Sequence, residues 1–271
     1  MGLTTTTPLP GTPPPPATPP PHPPAAVPAV GHEALRQYGV AAANALALMV
    51  LFSSYLLYRR GYYDLYIANK VFANTAAVVL GVVLLLGPLA HYFTVFDRYL
   101  KYRKELGVMA AVLALMHSLN SLFFLPDHFT LQGFLTRQPW PFFLGLTAAI
   151  LLTLLWTISR PPVMAALGGK YWWFIQQWGV RIAFVLVALH VALMKWSGWI
   201  KWYQQGGGAP SPALQRPWLP GLGLLVGWFM AFVLAVRIAD LIHKGLGRIV
   251  WYFGCVALPV VYVATFWWGL R

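Results

Sequence analysis

Long runs without charge dominate this chain of 271 residues and limit the folds it can adopt. Uncharged runs cover 37–58, 71–96, 106–126, 138–159, 217–236 and 249–270, and a further span at about 172–194 holds Arg181 near one end. Each run approaches the ~20 residues that a helix needs to cross a bilayer. The runs are continuously apolar, whereas a β-barrel needs short alternating segments. The sequence therefore predicts an all-α integral membrane protein, a bundle of about seven transmembrane helices.

The first 35 residues have a different composition from the rest of the chain. The stretch "PLPGTPPPPATPPPHPPAAVP" has no aromatic or charged residue, and its prolines lack the N–H donors that a helix requires. We expect 1–35 to be a disordered Pro-rich tail and 36–271 to be the transmembrane helical domain. His22 lies in the tail, and we expect no role for it.

The Lys and Arg residues predict the orientation, because cytoplasmic loops carry an excess of them. Eleven lie on the side where the first span begins: Arg36, Arg98, Lys101, Arg103, Lys104, Arg160, Lys170, Arg181, Arg237, Lys244 and Arg248. Eight lie on the opposite side: Arg59, Arg60, Lys70, Arg137, Lys195, Lys201, Arg216 and Arg271. We expect a multi-pass protein of an inner, cytoplasmic-type membrane with a cytoplasmic N-terminus. The net charge of +13 then faces lipid headgroups, and the expected partner is the bilayer, not nucleic acid.

Histidine is the residue type that can hold a metal in this chain. With a single cysteine, Cys255, the chain lacks the ligands of an iron–sulfur cluster and the motif for covalent haem. Of seven histidines, only His117 and His190 lie well inside predicted spans. Both are expected in the outer half of the membrane, at similar depth on two different helices. Such a pair suits the two axial positions of one haem iron, but hydrogen-bonded packing histidines give the same pattern.

Three stretches carry a resemblance to a known family: "NKVFANTAAVVLGVVLLLGPLAHYF", "YRKELGVMAAVLALMHS" and "WGVRIAFVLVALHVALMKW". They resemble the ferric reductase-like transmembrane domain family, whose members include the haem-binding membrane subunit of the periplasmic methionine sulfoxide reductase system. The resemblance covers about 69–200, and the C-terminal helices at about 217–270 lie beyond it. It implies a b-type haem between spans three and five, with the family's outer ligands falling on His117 and His190.

The inner half of the membrane departs from family members that carry two haems. Where such members place inner histidines, this chain has Gln177, thirteen residues before His190, and Arg103, fourteen before His117. We therefore expect one haem b, with a flavin or a quinone in the inner half. Arg103, Gln177, Arg181 and His91 are the candidate contacts, because cations and amide donors suit flavin phosphates and quinone carbonyls.

These features together predict an electron-transfer subunit of an oxidoreductase with no catalytic residue of its own. A quinol or flavoprotein on the cytoplasmic side would supply electrons, and an outer-side acceptor, such as a periplasmic protein, would take them. Two alternatives stay open: a proton-relaying, transporter-like bundle and a non-redox membrane scaffold, both without haem. The relay is disfavoured because no Asp or Glu falls within the uncharged runs.

Overall fold

The computed structural model describes residues 31–208 and 213–271, so His22 and most of the predicted tail lie outside the described residues. The helices run in chain order: α1 (His32–Arg60), α2 (Leu65–Tyr92), a 3₁₀ segment (Thr94–Tyr102), α3 (Arg103–Leu119), a π-helical turn (Asn120–Phe124), α4 (Leu131–Arg137), α5 (Pro139–Ile158), α6 (Pro161–Leu167), α7 (Gly169–Gln204), α8 (Leu222–Ile242) and α9 (Lys244–Gly269).

The prediction of a seven-helix membrane bundle is confirmed. Within the described residues, seven helical segments are long and apolar enough to span a bilayer: α1, α2, Thr94–Phe124, α5, α7, α8 and α9. We call the membrane side on which α1 begins the N-side and the side on which it ends the far side. The protein is therefore a multi-pass membrane protein in which successive spans run in opposite directions.

Helix α2 occupies the centre of the bundle. It packs against α1, α3, α7 and α8, while contacts α1–α3, α3–α5, α5–α7, α7–α8 and α8–α1 close a ring around it. Helix α9 packs outside this ring, on α8. Two-thirds of the most apolar part of α2 is buried inside the protein, far more than for any other described span. The arrangement leaves α5 facing α2 across a gap, and this gap holds the site described below.

Small residues on α2 let its neighbours approach closely. A Cβ atom at Gly81 would lie 2.6 Å from Phe229 of α8 and 3.3 Å from Phe184 of α7. Phe184 is fully buried. The rings of Phe184 and Phe229 can approach α2 this closely because Gly81 has no side chain. Close approach through small residues is the usual way in which membrane helices gain packing energy, because lipid is as apolar as the side chains.

The helices are longer than the uncharged runs, which corrects one expectation from the sequence. The third span includes Glu105 and α8 includes Asp240, and both side chains are 4% exposed. The sequence did not predict that the helices continue through these two residues: Glu105 lies in the first turn of α3 and Asp240 in the last turn of α8. Asp240 is paired: Arg237 lies 3.0 Å and Lys244 3.2 Å from its oxygens, and the Tyr92 hydroxyl donates to it at 2.8 Å. This network joins the N-side ends of α2, α8 and α9.

Candidate functional site

The two histidines singled out from the sequence line one cavity. It lies between α2, α3, α5 and α7 and has a volume of about 150 Å³; we call it the histidine cavity. Its other lining residues are mostly small or apolar: Ala73, Ala76, Ala77, Leu80, Ala114, Ala148, Ala149, Leu152, Val187, Val191 and Met194. The imidazoles of His117 on α3 and His190 on α7 thus line one mostly apolar cavity. Residues of α2 and α5 form the rest of its helical wall.

His117 is held by a chain of buried polar groups. Its Nδ1 lies 3.1 Å from Asn69 Oδ1, and Asn69 Nδ2 donates to Ser121 Oγ at 2.8 Å. Asn69 on α2 is 1% exposed and Ser121 is 8% exposed. Since the Asn69 amide donates to Ser121 through nitrogen, its oxygen accepts from His117. Ser121 belongs to the π-helical turn that follows α3, a kind of irregularity often found at functional sites.

His190 is held by the backbone of α5. Its Nδ1 lies 2.6 Å from the carbonyl oxygen of Pro141. This contact requires the ring to lie directly against α5, and Gly145 leaves the room for it. A Cβ atom at Gly145 would stand 2.7 Å from Nδ1 and 2.9 Å from Cε1 of His190. Any larger residue at this position would therefore displace the imidazole.

Both hydrogen bonds fix the same tautomer. A carbonyl oxygen accepts only, so the Nδ1 of each ring carries the hydrogen, and we assign His117 and His190 as Nδ1–H tautomers. Each Nε2 is then unprotonated and carries a free lone pair. A histidine that donates from one ring nitrogen to a carbonyl is the usual arrangement for an imidazole that binds a metal through the other nitrogen.

The hydrogen-bond partners also place the histidines toward the far side. Asn69 is the fifth residue of α2 and Pro141 the third residue of α5, and both helices begin on the far side. Because each partner lies within about 1.5 turns of a far-side helix end, both imidazoles lie in the far-side half of the bundle.

Three phenylalanines form a wall of the histidine cavity. Phe129 stacks on Phe134 with ring centroids 5.6 Å apart, and Phe134 stacks on Phe142 at 5.0 Å. Phe129 and Phe134 come from the connection between α3 and α5. The stack adds to the apolar lining of the cavity, and an electrostatic or coordination bond is stronger in apolar surroundings than in water.

A second cavity, which we call the N-side cavity, lies at the other end of α3 and α7. Arg103, Gln177 and Arg181 line it together, three of the four candidate contacts for a flavin or quinone. The fourth, His91, does not line it; this residue is exposed in the last turn of α2. Lys104 and the Asp240 network contribute further charge to the wall.

The N-side cavity retains unused polar groups. The amide nitrogen of Gln176 is engaged, since Nε2 donates to the Leu155 carbonyl at 2.9 Å and to Ser159 Oγ at 2.7 Å. The side chains of Gln177 and Arg103 make no hydrogen bond or ion pair with any described residue. They are therefore available to a ligand that offers acceptor oxygens.

The sequence alone did not identify three residues of the histidine site: Asn69, Pro141 and Gly145. A buried asparagine in an apolar helix is a detectable signal, because polar side chains in spans face the bundle interior. The Pro141 carbonyl and the Gly145 contact leave no such signal. Of the two serines expected to form outer hydrogen bonds, Ser121 bonds Asn69, whereas Ser118 donates to Ala114 of its own helix.

The donor set suits a haem better than a bare metal ion. No group of three or more His, Cys, Asp or Glu residues comes together in the described part of the chain. A metal held by side chains alone usually needs at least three of them. A haem iron needs only two axial ligands, because the macrocycle supplies four nitrogens. Two free Nε2 atoms facing an apolar, aromatic-walled cavity fit that requirement.

Comparison with known proteins gives a family match, which includes His117 and ends three residues before His190. No curated protein matches the chain significantly. A family model, described as the ferric reductase like transmembrane component, matches residues 72–187. The match takes in α2, α3 and α5 and the first half of α7, the four helices that surround the histidine cavity. Residues 72–187 are therefore similar to a ferric reductase-like transmembrane component.

Proposed function

We propose that the protein is a transmembrane electron carrier that holds one haem b between His117 and His190. The observation that carries the proposal is the shared cavity in which both rings have Nδ1 bonded to a carbonyl oxygen and Nε2 free. The bound haem would supply a one-electron Fe(III)/Fe(II) couple. With both axial positions taken, the iron would not bind dioxygen or substrate, so the group would act as an electron relay.

The residues of this chain would set the properties of the relay. The carbonyl groups of Asn69 and Pro141 increase the basicity of the two imidazoles, which favours the ferric state. The apolar walls exclude water and the Phe129–Phe134–Phe142 stack closes one side. Asn69 also fixes the plane of the His117 ring, because its own orientation is fixed by Ser121.

We further propose that electrons enter from the N-side cavity. A quinol, or the flavin of a separate flavoprotein, suits the free donors of Arg103, Gln177 and Arg181. By the excess of Lys and Arg, the N-side would be the cytoplasmic side of an inner-type membrane. The electrons would leave on the far side to an outer acceptor, such as a periplasmic protein.

The first test is optical spectroscopy of the detergent-purified protein before and after reduction with dithionite. We expect a b-type spectrum with about one haem per chain, since two imidazoles hold one haem iron. His117→Ala and His190→Ala each remove an axial ligand and should abolish the low-spin spectrum. His32→Ala is the control, because His32 is exposed at the start of α1. A folded, colourless wild-type protein from haem-replete cells would disprove the proposal.

The donor side is tested by stopped-flow reduction of the haem with a short-chain quinol and, separately, with reduced FMN. Arg103→Met and Gln177→Leu should slow reduction by the true donor class and leave the dithionite-reduced spectrum unchanged. Lys170→Met is the matched control, because Lys170 begins α7 but does not line the N-side cavity. Equal rates in all variants with both donors would exclude the cavity as the entry site.

A further inference from the structure

A third cavity meets the histidine cavity on the far side and is lined by four cations. It lies among α1, α2, α7 and α8, and it shares His117, His190 and Met194 with the histidine cavity. We call it the basic vestibule, after its cationic residues Arg59, Arg60, Lys70 and Lys195. An anion bound here would lie beside whatever occupies the space between the two imidazoles.

Among the residues that the structure describes, no Asp or Glu lines the basic vestibule. In the described part of the chain, the acids that form ion pairs are Glu33 and Asp240, and neither pairs with a vestibule cation. Cations gathered at a desolvated site without counter-charge are unfavourable, and they persist where an anion or a polar ligand compensates them. The vestibule therefore has the charge of an anion-binding site.

The two lysines are the least engaged of the four cations. Lys70 Nζ lies 3.7 Å from the centre of the Tyr66 ring, and this cation–π contact is the interaction its ammonium group makes. Lys195 forms no hydrogen bond or ion pair with a described residue. An ammonium group has three N–H donors. Both lysines thus retain donors for a ligand.

The other vestibule groups include unsatisfied donors. Arg59 Nε donates to the Leu219 carbonyl at 2.9 Å, and Arg60 donates through a terminal nitrogen to Tyr62 at 2.8 Å. Arg60 Nε and Trp202 Nε1 are buried without a hydrogen-bond partner. Trp202 is 7% exposed and lines the vestibule. Buried donors without partners are rare in folded proteins, and they indicate a ligand with acceptor atoms.

The lysines are also tied in position to the two histidines. Lys70 follows Asn69, which holds His117, and Lys195 follows His190 by five residues on α7. On α7, which runs toward the far side, Lys195 lies about one turn beyond His190. On α2, which runs away from the far side, Lys70 lies beside Asn69, but its ammonium group reaches back over the Tyr66 ring, one turn nearer the far side. A flat group held between the imidazoles would present its far-side edge to both ammonium groups.

We propose that the basic vestibule binds carboxylate groups, and that these are the two propionates of the haem held by His117 and His190. This inference rests on the proposed function. A dissolved carboxylate, such as a citrate-chelated acceptor, shares the chemistry, but the propionates are favoured because the vestibule opens directly onto the histidine cavity. Charge-assisted hydrogen bonds from Lys70 and Lys195 hold the macrocycle's edge on the far side.

The test compares haemin with haemin dimethyl ester, whose propionates are uncharged. Full-length protein from haem-starved cells is titrated with each, and affinity is read from the b-type spectrum. We expect wild type to bind haemin roughly 10- to 100-fold more tightly than the ester, as for hydrogen bonds to charged groups. Lys70→Met with Lys195→Met should remove most of this preference by weakening haemin binding alone. Unchanged ester binding shows that the variant is folded.

Lys201→Met is the matched control, because Lys201 lies on α7 near Lys195 but does not line the vestibule. It should keep the wild-type preference. A second measurement uses the haem-loaded protein: the midpoint potential should fall in the double variant, because removing positive charge near the haem favours the ferric form.

Each outcome has a distinct meaning. A preference for haemin that survives in the double variant would overturn the assignment of the propionates to these lysines. Equal binding of both haems in wild type, together with a lysine-dependent potential shift on adding citrate, would assign the vestibule to a dissolved carboxylate. Equal binding with no citrate effect would exclude a carboxylate site. If neither haemin nor its dimethyl ester gives a b-type spectrum with the wild-type protein, the proposed function itself is refuted.

Discussion

Asn69→Leu is the substitution that tests the histidine site most directly. Leucine has nearly the shape of asparagine, and the position is fully buried at 1% exposure, so the change removes polar atoms with little change in packing. It deletes the acceptor for His117 Nδ1 and the donor to Ser121 Oγ. The His117 N–H is then left without a partner inside the bundle.

The size of the effect follows from the loss of that acceptor. Removing the outer partner of a metal-binding histidine typically costs 10- to 100-fold in affinity, which is about 1.4–2.8 kcal/mol at 1.4 kcal/mol per tenfold. Leaving a buried donor unsatisfied costs a similar amount, about 1–3 kcal/mol. The imidazole also becomes a weaker electron donor, so the ferrous form gains relative stability and the midpoint potential should rise.

Haem affinity and midpoint potential are the two measurements. Affinity is obtained by titrating haem-depleted protein with haemin, and the potential by a spectroelectrochemical titration of the loaded protein. Asn44→Leu is the matched control, because Asn44 lies on α1, lines none of the three cavities, and its Nδ2 donates only to the Val40 carbonyl at 2.8 Å. Ser121→Ala should give a smaller shift in the same direction as Asn69→Leu, since it frees the Asn69 amide without removing it.

The reasoning is refuted if Asn69→Leu and Asn44→Leu give the same affinity and the same potential. It is also refuted if the potential falls in Asn69→Leu, because that sign contradicts the role of the carbonyl acceptor. A loss of haem without a change in potential of the remaining loaded fraction would mean that Asn69 positions the ring but does not tune it.

Three further predictions concern packing, charge and cofactor removal. Gly145→Ala should lower haem occupancy and broaden the reduced spectrum, because the new methyl group would lie 2.7 Å from His190 Nδ1; Gly39→Ala, with nothing within 4 Å, should have no effect. Asp240→Asn should destabilise the protein by ~3–5 kcal/mol in detergent unfolding, because it leaves the buried Arg237 guanidinium unpaired; Glu33→Gln, whose ion pairs are exposed, should leave the unfolding midpoint unchanged. Protein from haem-starved cells should melt at a lower temperature than the loaded protein and recover on adding haemin, since a ligand stabilises the state it binds.

The sequence was sufficient for the membrane fold because that fold depends on a local property. A run of about 20 apolar residues must form a helix in lipid, where every backbone N–H needs a partner within its own segment. All seven spans followed from this rule. The rule did not give their ends: α7 extends over 36 residues where the sequence indicated 172–194, because charged and aromatic residues continue the helix beyond the lipid.

The sequence also indicated the candidate residues of the site, but not the contacts that hold them. His117 and His190 stood out because a polar side chain within an apolar span is costly and needs a reason. Their partners depend on contacts between residues 48 and 49 positions apart in the chain. Such contacts follow from the position of α2 at the centre of a ring of helices, which no local pattern specifies.

The tertiary structure alone decided how the polar residues are grouped. Arg103, Gln177 and Arg181 share the N-side cavity, whereas His91, equally plausible by position in the chain, is directed elsewhere. Lys70 and Lys195 were counted in the sequence only as flanking charges, and the fold brings them to one vestibule beside the histidines. Hydrophobic length determines that each helix crosses the membrane, but the rotation of each helix about its axis depends on side-chain packing between neighbours. That rotation decides which residues meet.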